Sequence, residues 1–234
     1  MSTIQLVVFD MAGTTVRDRG NVADSFITAF QEFGFDMPRE EVTKVMGFRK
    51  MDAIRLLLDK FYPGSTDSPL VTKELIATIH ERFIDNMISF YENDEQLEPL
   101  PHAEEIFSSL KEKGIKIALN TGFTRAVADA LLHRLHWDNG FNRIDKVICS
   151  DEVAYGRPSP DMIKTLMAAL GISSSAQVLK VGDTEVDIEE GRNAGCGIVV
   201  GITTGAYTRE QLKEAHPDHI IDGLQELIPI IEKS

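Results

Sequence analysis

The sequence predicts an α/β fold: a doubly wound, mainly parallel sheet with an inserted α-helical cap domain. Three observations carry that expectation. Short apolar runs at residues 6–9, 115–119, 147–149, 178–181 and 198–200, with a weaker one at 219–221, have the length and unbroken hydrophobicity of strands buried on both faces. Helical periodicity fills most of the gaps between them. Residues 21–93 show helical stripes and no convincing strand.

Taken in order, the first strand ends at Asp10, and a helical stretch follows. Phe26, Ile27, Phe30 and Phe33 recur at helical spacing before Gly34. Ile54, Leu57, Leu58 and Phe61 do so before Pro63-Gly64, and Leu75, Ile79, Phe83, Met87 and Phe90 form a third stripe. Polar joints bracket this stretch, Arg17-Asp18-Arg19-Gly20-Asn21 on one side and Asn93-Asp94-Glu95-Gln96 on the other. The expected division is a core of residues 1–17 and 97–234 and a helical cap of residues 18–96. Two short connections to a separate helical body are the arrangement of a lid. Beyond about Leu100 the alternation resumes, with one helical stripe of Ala103, Ile106, Phe107 and Leu110 and another of Val127, Ala130, Leu131 and Leu135.

Composition narrows the partners. The 234 residues include 43% hydrophobic and 26% charged side chains, enough for a sizeable core under an ordinary polar surface. Lys and Arg total 24 against 37 Asp and Glu, a net charge of −13, and no basic stripe offsets it, so a nucleic-acid partner is not expected. A small anion remains compatible, because charge is screened beyond roughly 8 Å at physiological salt and a local positive pocket can prevail. Cys149 and Cys196 sit in apolar stretches without metal-ligand spacing and read as reduced core thiols of a cytoplasmic protein. No basic leader or long apolar run points to export or a membrane. The histidine pairs His133/His136 and His216/His219 lack a third ligand nearby and read as surface or structural residues.

Ligands of an open parallel sheet bind at the carboxyl ends of its strands. Here those ends read Asp10-Met11-Ala12-Gly13-Thr14-Thr15, Asn120-Thr121-Gly122-Phe123-Thr124, Ser150-Asp151 with Tyr155-Gly156-Arg157-Pro158 beyond, and Gly182-Asp183-Thr184-Glu185-Val186-Asp187. If the first and fourth strands are neighbours, Asp10 and Asp183 stand side by side and repel. Mg²⁺, a hard cation taking carboxylates, water and phosphate oxygens, would resolve that conflict. Asp10 could then attack phosphorus. Thr121 and the amides around Gly13 and Gly122 would cradle the phosphoryl oxygens, and the Arg157 fork would match their charge.

These four segments, in this order, resemble the four motifs of the haloacid-dehalogenase-like hydrolases, and the likeness spans essentially the whole chain, including a helical cap after the first strand. The resemblance implies a Rossmann-like core, an Mg²⁺-dependent reaction and an Asp10 nucleophile. It also implies a metal held by Asp10, the Ala12 carbonyl and Asp183, with Asp187 as supporting carboxylate. Arg157 stands where the superfamily usually has a lysine.

Ala12 is the informative departure, since phosphatases of the superfamily carry a second Asp two residues after the nucleophile as general acid/base. Such a group is worth ~10²–10⁴-fold, and alanine cannot supply it. The phosphonatase (phosphonoacetaldehyde hydrolase) branch shares the Asp-X-Ala-Gly-Thr pattern. Its resemblance to this chain extends to Met46-Gly47-Phe48-Arg49-Lys50-Met51-Asp52 and places Lys50 at that branch's imine-forming position. The branch cleaves a carbon–phosphorus bond, the imine taking up the electrons released. Lys50 lies near the start of a helix, where partial burial and the positive helix end would lower its pKa. Met46 is expected to line the cap side of the pocket. Two positions depart from the branch: its histidine three residues after the lysine is Ala53, and its tyrosine after Thr-Gly is Phe123.

The expected substrate is a small anionic phosphonate or phosphate, and the resemblance is compatible with a homodimer formed through the cap. The expected activity is C–P hydrolysis of a carbonyl phosphonate. The alternatives are a phosphomonoesterase of the phosphoglycolate phosphatase type and a non-catalytic phosphate-binding relative.

Overall fold

The structure is a computed structural model that describes residues 4–62, 72–138 and 143–234; the expected stop at Pro63-Gly64 lies outside them. Six strands form one parallel sheet in the order β3-β2-β1-β4-β5-β6: β1 (Leu6–Phe9), β2 (Lys116–Thr121), β3 (Lys146–Cys149), β4 (Val178–Gly182), β5 (Ile198–Ile202) and β6 (His219–Ile221). Each coincides with an apolar run, and the second, fourth and fifth continue one or two residues further toward their carboxyl ends. Four of the five added residues, Asn120, Thr121, Gly182 and Gly201, are polar or small, and Gly201 interrupts the run before Ile202, which is why hydrophobicity alone does not reveal them.

Side chains alternate across the sheet, as a two-residue period requires. Val7, Phe9, Ile117, Leu119, Leu179 and Val181 face one way, into a core shared with α5 (Ala103–Glu112) and α6 (Arg125–Arg134). Leu6, Val8, Ala118, Ile148, Val178 and Val199 face the other way, against α7 (Asp161–Leu170) and α8 (Glu185–Ala194). Both faces are therefore covered, which explains the unbroken hydrophobicity of the strands. Two short helices, α9 (Arg209–Glu214) and α10 (Leu227–Glu232), complete the α/β part. No helix among the described residues is long and apolar enough to cross a membrane.

Between β1 and α5 stand four helices: α1 (Asn21–Gln31), α2 (Arg39–Lys44), α3 (Lys50–Phe61) and α4 (Lys73–Asn93). The hydrophobic stripes announce three of them. The six-residue α2 buries only Val42 and leaves no periodicity to detect. Phe33 falls just beyond α1, in the turn that closes at Gly34. Inside this layer Phe26 packs edge-on against Phe83 at 5.0 Å and Phe30 at 5.4 Å. Its two connections run side by side: Val16 bridges Pro99, the Leu100 amide donates to the Thr15 carbonyl at 2.9 Å, and Arg17 pairs with Glu98 at 2.7 Å.

Candidate functional site

The strand order reverses direction at β1 and β4, and the crevice beyond their carboxyl ends is where this architecture binds ligands. In register, Phe9 lies beside both Leu119 and Val181, so Asp10 emerges next to Asn120 and Gly182. Asp10 and Asp183 are thereby brought together at the bottom of a cavity, 6% and 3% exposed. Ala12, Met46, Lys50, Thr121 and Gly122 share its wall. The cavity these residues enclose is small, about 30 Å³.

Burial pushes the Asp10 carboxyl up to about 6, against the pull of Arg157. Asp183 is pushed well above the usual carboxylate range by burial and then by the charges of Asp10 and Asp187. Its carboxylate accepts from the Ala206 amide at 2.7 Å and from the Thr14 hydroxyl at 3.3 Å.

Beneath Asp10 lies a buried polar cluster. Arg157 Nη1 donates to Asp10 Oδ1 at 2.7 Å and stands 2.9 Å from Asp187 Oδ1. Its Nε donates to Glu190 at 3.1 Å, and its Nη2 donates to both the carbonyl and the side-chain oxygen of Asn120. Lys180 Nζ is 2.9 Å from Asp187 and 3.3 Å from Glu190, and donates to Asn120 at 2.7 Å. Asp187 also accepts from the Thr184 hydroxyl at 2.5 Å. Burial raises the Asp187 pKa, but Arg157 and Lys180 together outweigh it and hold the carboxyl below its ordinary value.

Two expected contacts differ in the structure. Arg157 is not on the cavity wall; its guanidinium is taken up by Asp10, Asp187, Glu190 and Asn120, so it acts on the Asp10 carboxylate from below. Gly13 is not on the wall either, because its amide closes the turn onto the Val16 carbonyl at 2.8 Å. Asp187 lies one layer below, paired with Arg157.

Lys50 is the first residue of α3 and only 3% exposed. Its Nζ lies 5.6 Å from the Phe123 ring centre, 5.9 Å from Phe26 and 6.0 Å from Phe83. Three ring faces favour an ammonium by about 0.5–2 kcal/mol each at most. Burial prevails over them and over the attraction of Asp10, and lowers the Lys50 pKa to about 8.

The loop before α3 lies tightly on the α/β part. A Cβ on Gly122 would meet the Phe48 carbonyl at 2.5 Å, and one on Gly47 would meet Thr184 Oγ1 at 2.5 Å and Val186 at 2.6 Å. Gly47 also holds a φ of 82°, which a side chain disfavours.

Sequence reasoning missed Lys180, Asn120, Glu190 and Asp18. A lysine in a fully buried strand is itself the signal for the first, since Lys is almost never buried without partners. Glu190 is one helical turn beyond Asp187 and so shares its face. Asp18, read as a polar joint, lines the cavity. Among the described residues no three His, Cys, Asp or Glu side chains converge as a metal cluster, so the expected donor set rests on two carboxylates and the Ala12 carbonyl.

The profile of the haloacid dehalogenase-like hydrolases matches residues 7–201. The chain belongs to that family. It is 33% identical to a phosphonoacetaldehyde hydrolase of Bacillus cereus, over 90% of this chain and 81% of the relative. It is 30% identical to that of Bordetella pertussis, over 97% and 91%. In fold it matches a phosphonoacetaldehyde hydrolase-like protein from Oleispira antarctica with a TM-score of 0.84 at 24% identity, covering 99% of this chain and 92% of that one. A predicted phosphoglycolate phosphatase from Haemophilus somnus matches with a TM-score of 0.78 at 21% identity, covering 98% and 99%. This chain is a hydrolase of that family.

Proposed function

We propose that the protein hydrolyses the carbon–phosphorus bond of a small carbonyl phosphonate, phosphonoacetaldehyde being the first candidate, with Asp10 as nucleophile and Lys50 as imine-forming amine. The observation that carries this reading is the Lys50 amine: buried, lowered to about 8, and on the wall of the cavity that holds Asp10. Ala12 supports it, because that wall position offers no acid/base for an alkoxide leaving group.

Residues 18–96 would act as the cap, moving on the paired connections at Val16 and Pro99. Closure keeps water from Lys50 while its neutral amine condenses with the substrate carbonyl. The iminium then draws electrons from the C–P bond. Arg157 holds Asp10 Oδ1, leaving Oδ2 to attack phosphorus. The C–P bonding pair passes into the iminium, giving an enamine on Lys50 and an aspartyl phosphate on Asp10. Protonation of the enamine at carbon and hydrolysis of the imine release the aldehyde, and water hydrolyses the aspartyl phosphate. Thr121 and Gly122, on the cavity wall at the end of β2, would face the phosphoryl group.

Mg²⁺ fits the donor set. On the cavity wall and beneath it, Asp10, Asp18, Asp183, Asp187 and Glu190 stand against Lys50, Arg157 and Lys180, an excess of two carboxylates. Asp10, Asp183 and the Ala12 carbonyl would hold the ion, hard oxygen donors of the type it prefers. When bound it supplies positive charge to the carboxylates and the phosphoryl oxygens.

Borohydride trapping with phosphonoacetaldehyde tests the reading. A reduced adduct that maps to Lys50, accompanied by phosphate release, is expected. The trapping rate should rise with pH through a midpoint near 8, because only the neutral amine attacks and the ammonium predominates below that value. An adduct elsewhere, or none, would refute the Lys50 role.

Gly47→Ala tests the closure. Its Cβ would press into Thr184 and Val186, and positive φ adds about 1–2 kcal/mol of strain. Holding the loop off the core by a fraction of an ångström displaces Lys50 from Asp10, and such misplacements cost up to ~10²-fold. Steady-state kinetics should show kcat/KM lowered at least ~10-fold; an unchanged value would mean that the loop does not set the reacting geometry.

A further inference from the structure

Among the described residues four ionisable side chains line the cavity: Asp10, Asp183, Lys50 and Asp18. The first three have roles in the reading above, and Asp18 has none. It stands in the connection between β1 and α1, with Lys50 among the charges coupled to it. One oxygen, Oδ1, caps the first turn of α1, accepting from the amides of Gly20 at 2.9 Å, Asn21 at 2.9 Å and Val22 at 3.5 Å. Asp18 also borders a second hollow, beside Met46 and Ala206, with Arg39 and Thr43 on its far side. It therefore borders both the Lys50 chamber and a neighbouring hollow.

Condensation of an amine with a carbonyl needs a group that takes and returns protons. Among the described residues no histidine lines the cavity, and the α3 position three residues beyond Lys50 is the buried Ala53. His80 of α4 is coupled to Lys50, but it is not on the wall. Asp10 is bound to Arg157, and Asp183 to Thr14 and Ala206.

We infer that Asp18 is the proton-transfer group for imine formation at Lys50, an inference that rests on the C–P hydrolase reading. The Asp18 carboxylate takes one proton from the Lys50 ammonium. The neutral amine attacks the carbonyl carbon, and the carboxylic acid returns that proton to the new alkoxide. The carboxylate then takes a second proton from the nitrogen and delivers it to the hydroxyl. The C–O bond breaks, water departs, and the nitrogen lone pair forms the C=N bond. Of the three ammonium protons two leave in the water and one stays on the iminium, so Asp18 ends as it began.

Burial holds the Asp18 carboxyl above its ordinary value, against the three capping amides, which favours a group that is protonated in passing. The ionisable groups coupled to it are Lys50 of α3, Tyr91 of α4 and Asp183 beyond β4.

Asp18→Asn separates proton transfer from capping, because an amide oxygen caps a helix as well as a carboxylate does. With phosphonoacetaldehyde as probe, Asp18→Asn should keep the wild-type Tm while borohydride trapping at Lys50 and phosphate release slow by ~10²–10⁴-fold. Asp18→Ala should recover part of its trapping rate on addition of formate. Trapping by Asp18→Asn at the wild-type rate, or a loss in Asp18→Ala that formate does not restore, would overturn the inference. Failure of the underlying reading is seen separately, in the wild-type protein alone, as absence of any Lys50 adduct; that result removes this inference with it.

Discussion

Lys50→Met is expected to abolish borohydride trapping and phosphate release from phosphonoacetaldehyde and, at the same time, to raise Tm. Without an amine there is no iminium, so the electrons of the C–P bond have no acceptor and no residual route of comparable rate exists. The stability gain follows from the burial that makes the amine useful. Lys50 has a pKa of about 8 in the folded protein against an ordinary 10.5. Below pH 8 it is protonated in both folded and unfolded states, and the folded state carries the whole cost of burying the ammonium. The gap corresponds to about 3 kcal/mol, an upper figure that removal of the charge would recover. Between about 8 and 10.5 the unfolded chain binds more protons than the folded one, so wild-type stability rises with pH across that window. Above it the advantage of methionine should vanish. At neutral pH each kcal/mol is worth about 2–4 °C for a chain of this size. Methionine matches the length of the lysine stem and packs well against Phe26, Phe83 and Phe123, with sulfur–aromatic contacts in place of the cation. Thermal unfolding at pH 7 and pH 10, beside trapping and phosphate assays, checks both halves. A lower Tm, or retained C–P cleavage, would contradict the role given to Lys50. The combination of lost activity and gained stability is the mark of a residue kept for chemistry.

How much of this was legible in the sequence differs between layers of the molecule. The strands were readable because both faces of the sheet are covered, which leaves runs such as 6–9 with no polar interruption. The helices of the inserted segment were readable where one face is buried along several turns, as in α4, and not where a single residue is buried, as in α2. The cavity wall was largely readable as well: Asp10, Ala12, Met46, Lys50, Thr121, Gly122 and Asp183, named from strand ends and from motif resemblance, converge on it. What lies beneath the wall was not. The partners of Arg157 are far apart in the chain: Asp10 comes from the turn after β1, Asn120 from β2, and Asp187 and Glu190 from α8. Motif order predicts that these segments meet, but not which atoms are spent on each other. The position of Asp18 was hidden for a related reason, since a polar joint and a cavity wall have the same composition and only the fold distinguishes them.

The cluster below Asp10 gives the second large expectation. Lys180→Met should destabilise the protein by about 3–5 kcal/mol, the range for removing one partner of a buried ion pair. Lys180 lies in β4 between β1 and β5 with no exposed surface, and its ammonium is shared by Asp187, Glu190 and Asn120. Its loss leaves Arg157 alone against Asp187 and Glu190, with Asp10 and Asp183 just above. Methionine fills the volume, so little of the cost comes from a cavity; it comes from charge that burial isolates from water. Against a typical total of about 5–15 kcal/mol this is a large fraction, and denaturant unfolding should show a lower midpoint with an unchanged slope. Asp10, the proposed nucleophile, should respond too. Lys180 is one of the charges that favour the Asp10 carboxylate against burial, so its removal raises the fraction of Asp10 that is protonated and unable to attack. A structural role alone would lower the unfolding midpoint and leave the pH profile of phosphate release in place. The cluster described here requires the acid limb of that profile to move to higher pH in the folded Lys180→Met variant. Loss of stability without that displacement would reduce Lys180 to packing, and neither change would mean that Arg157 alone sets the charge beneath Asp10.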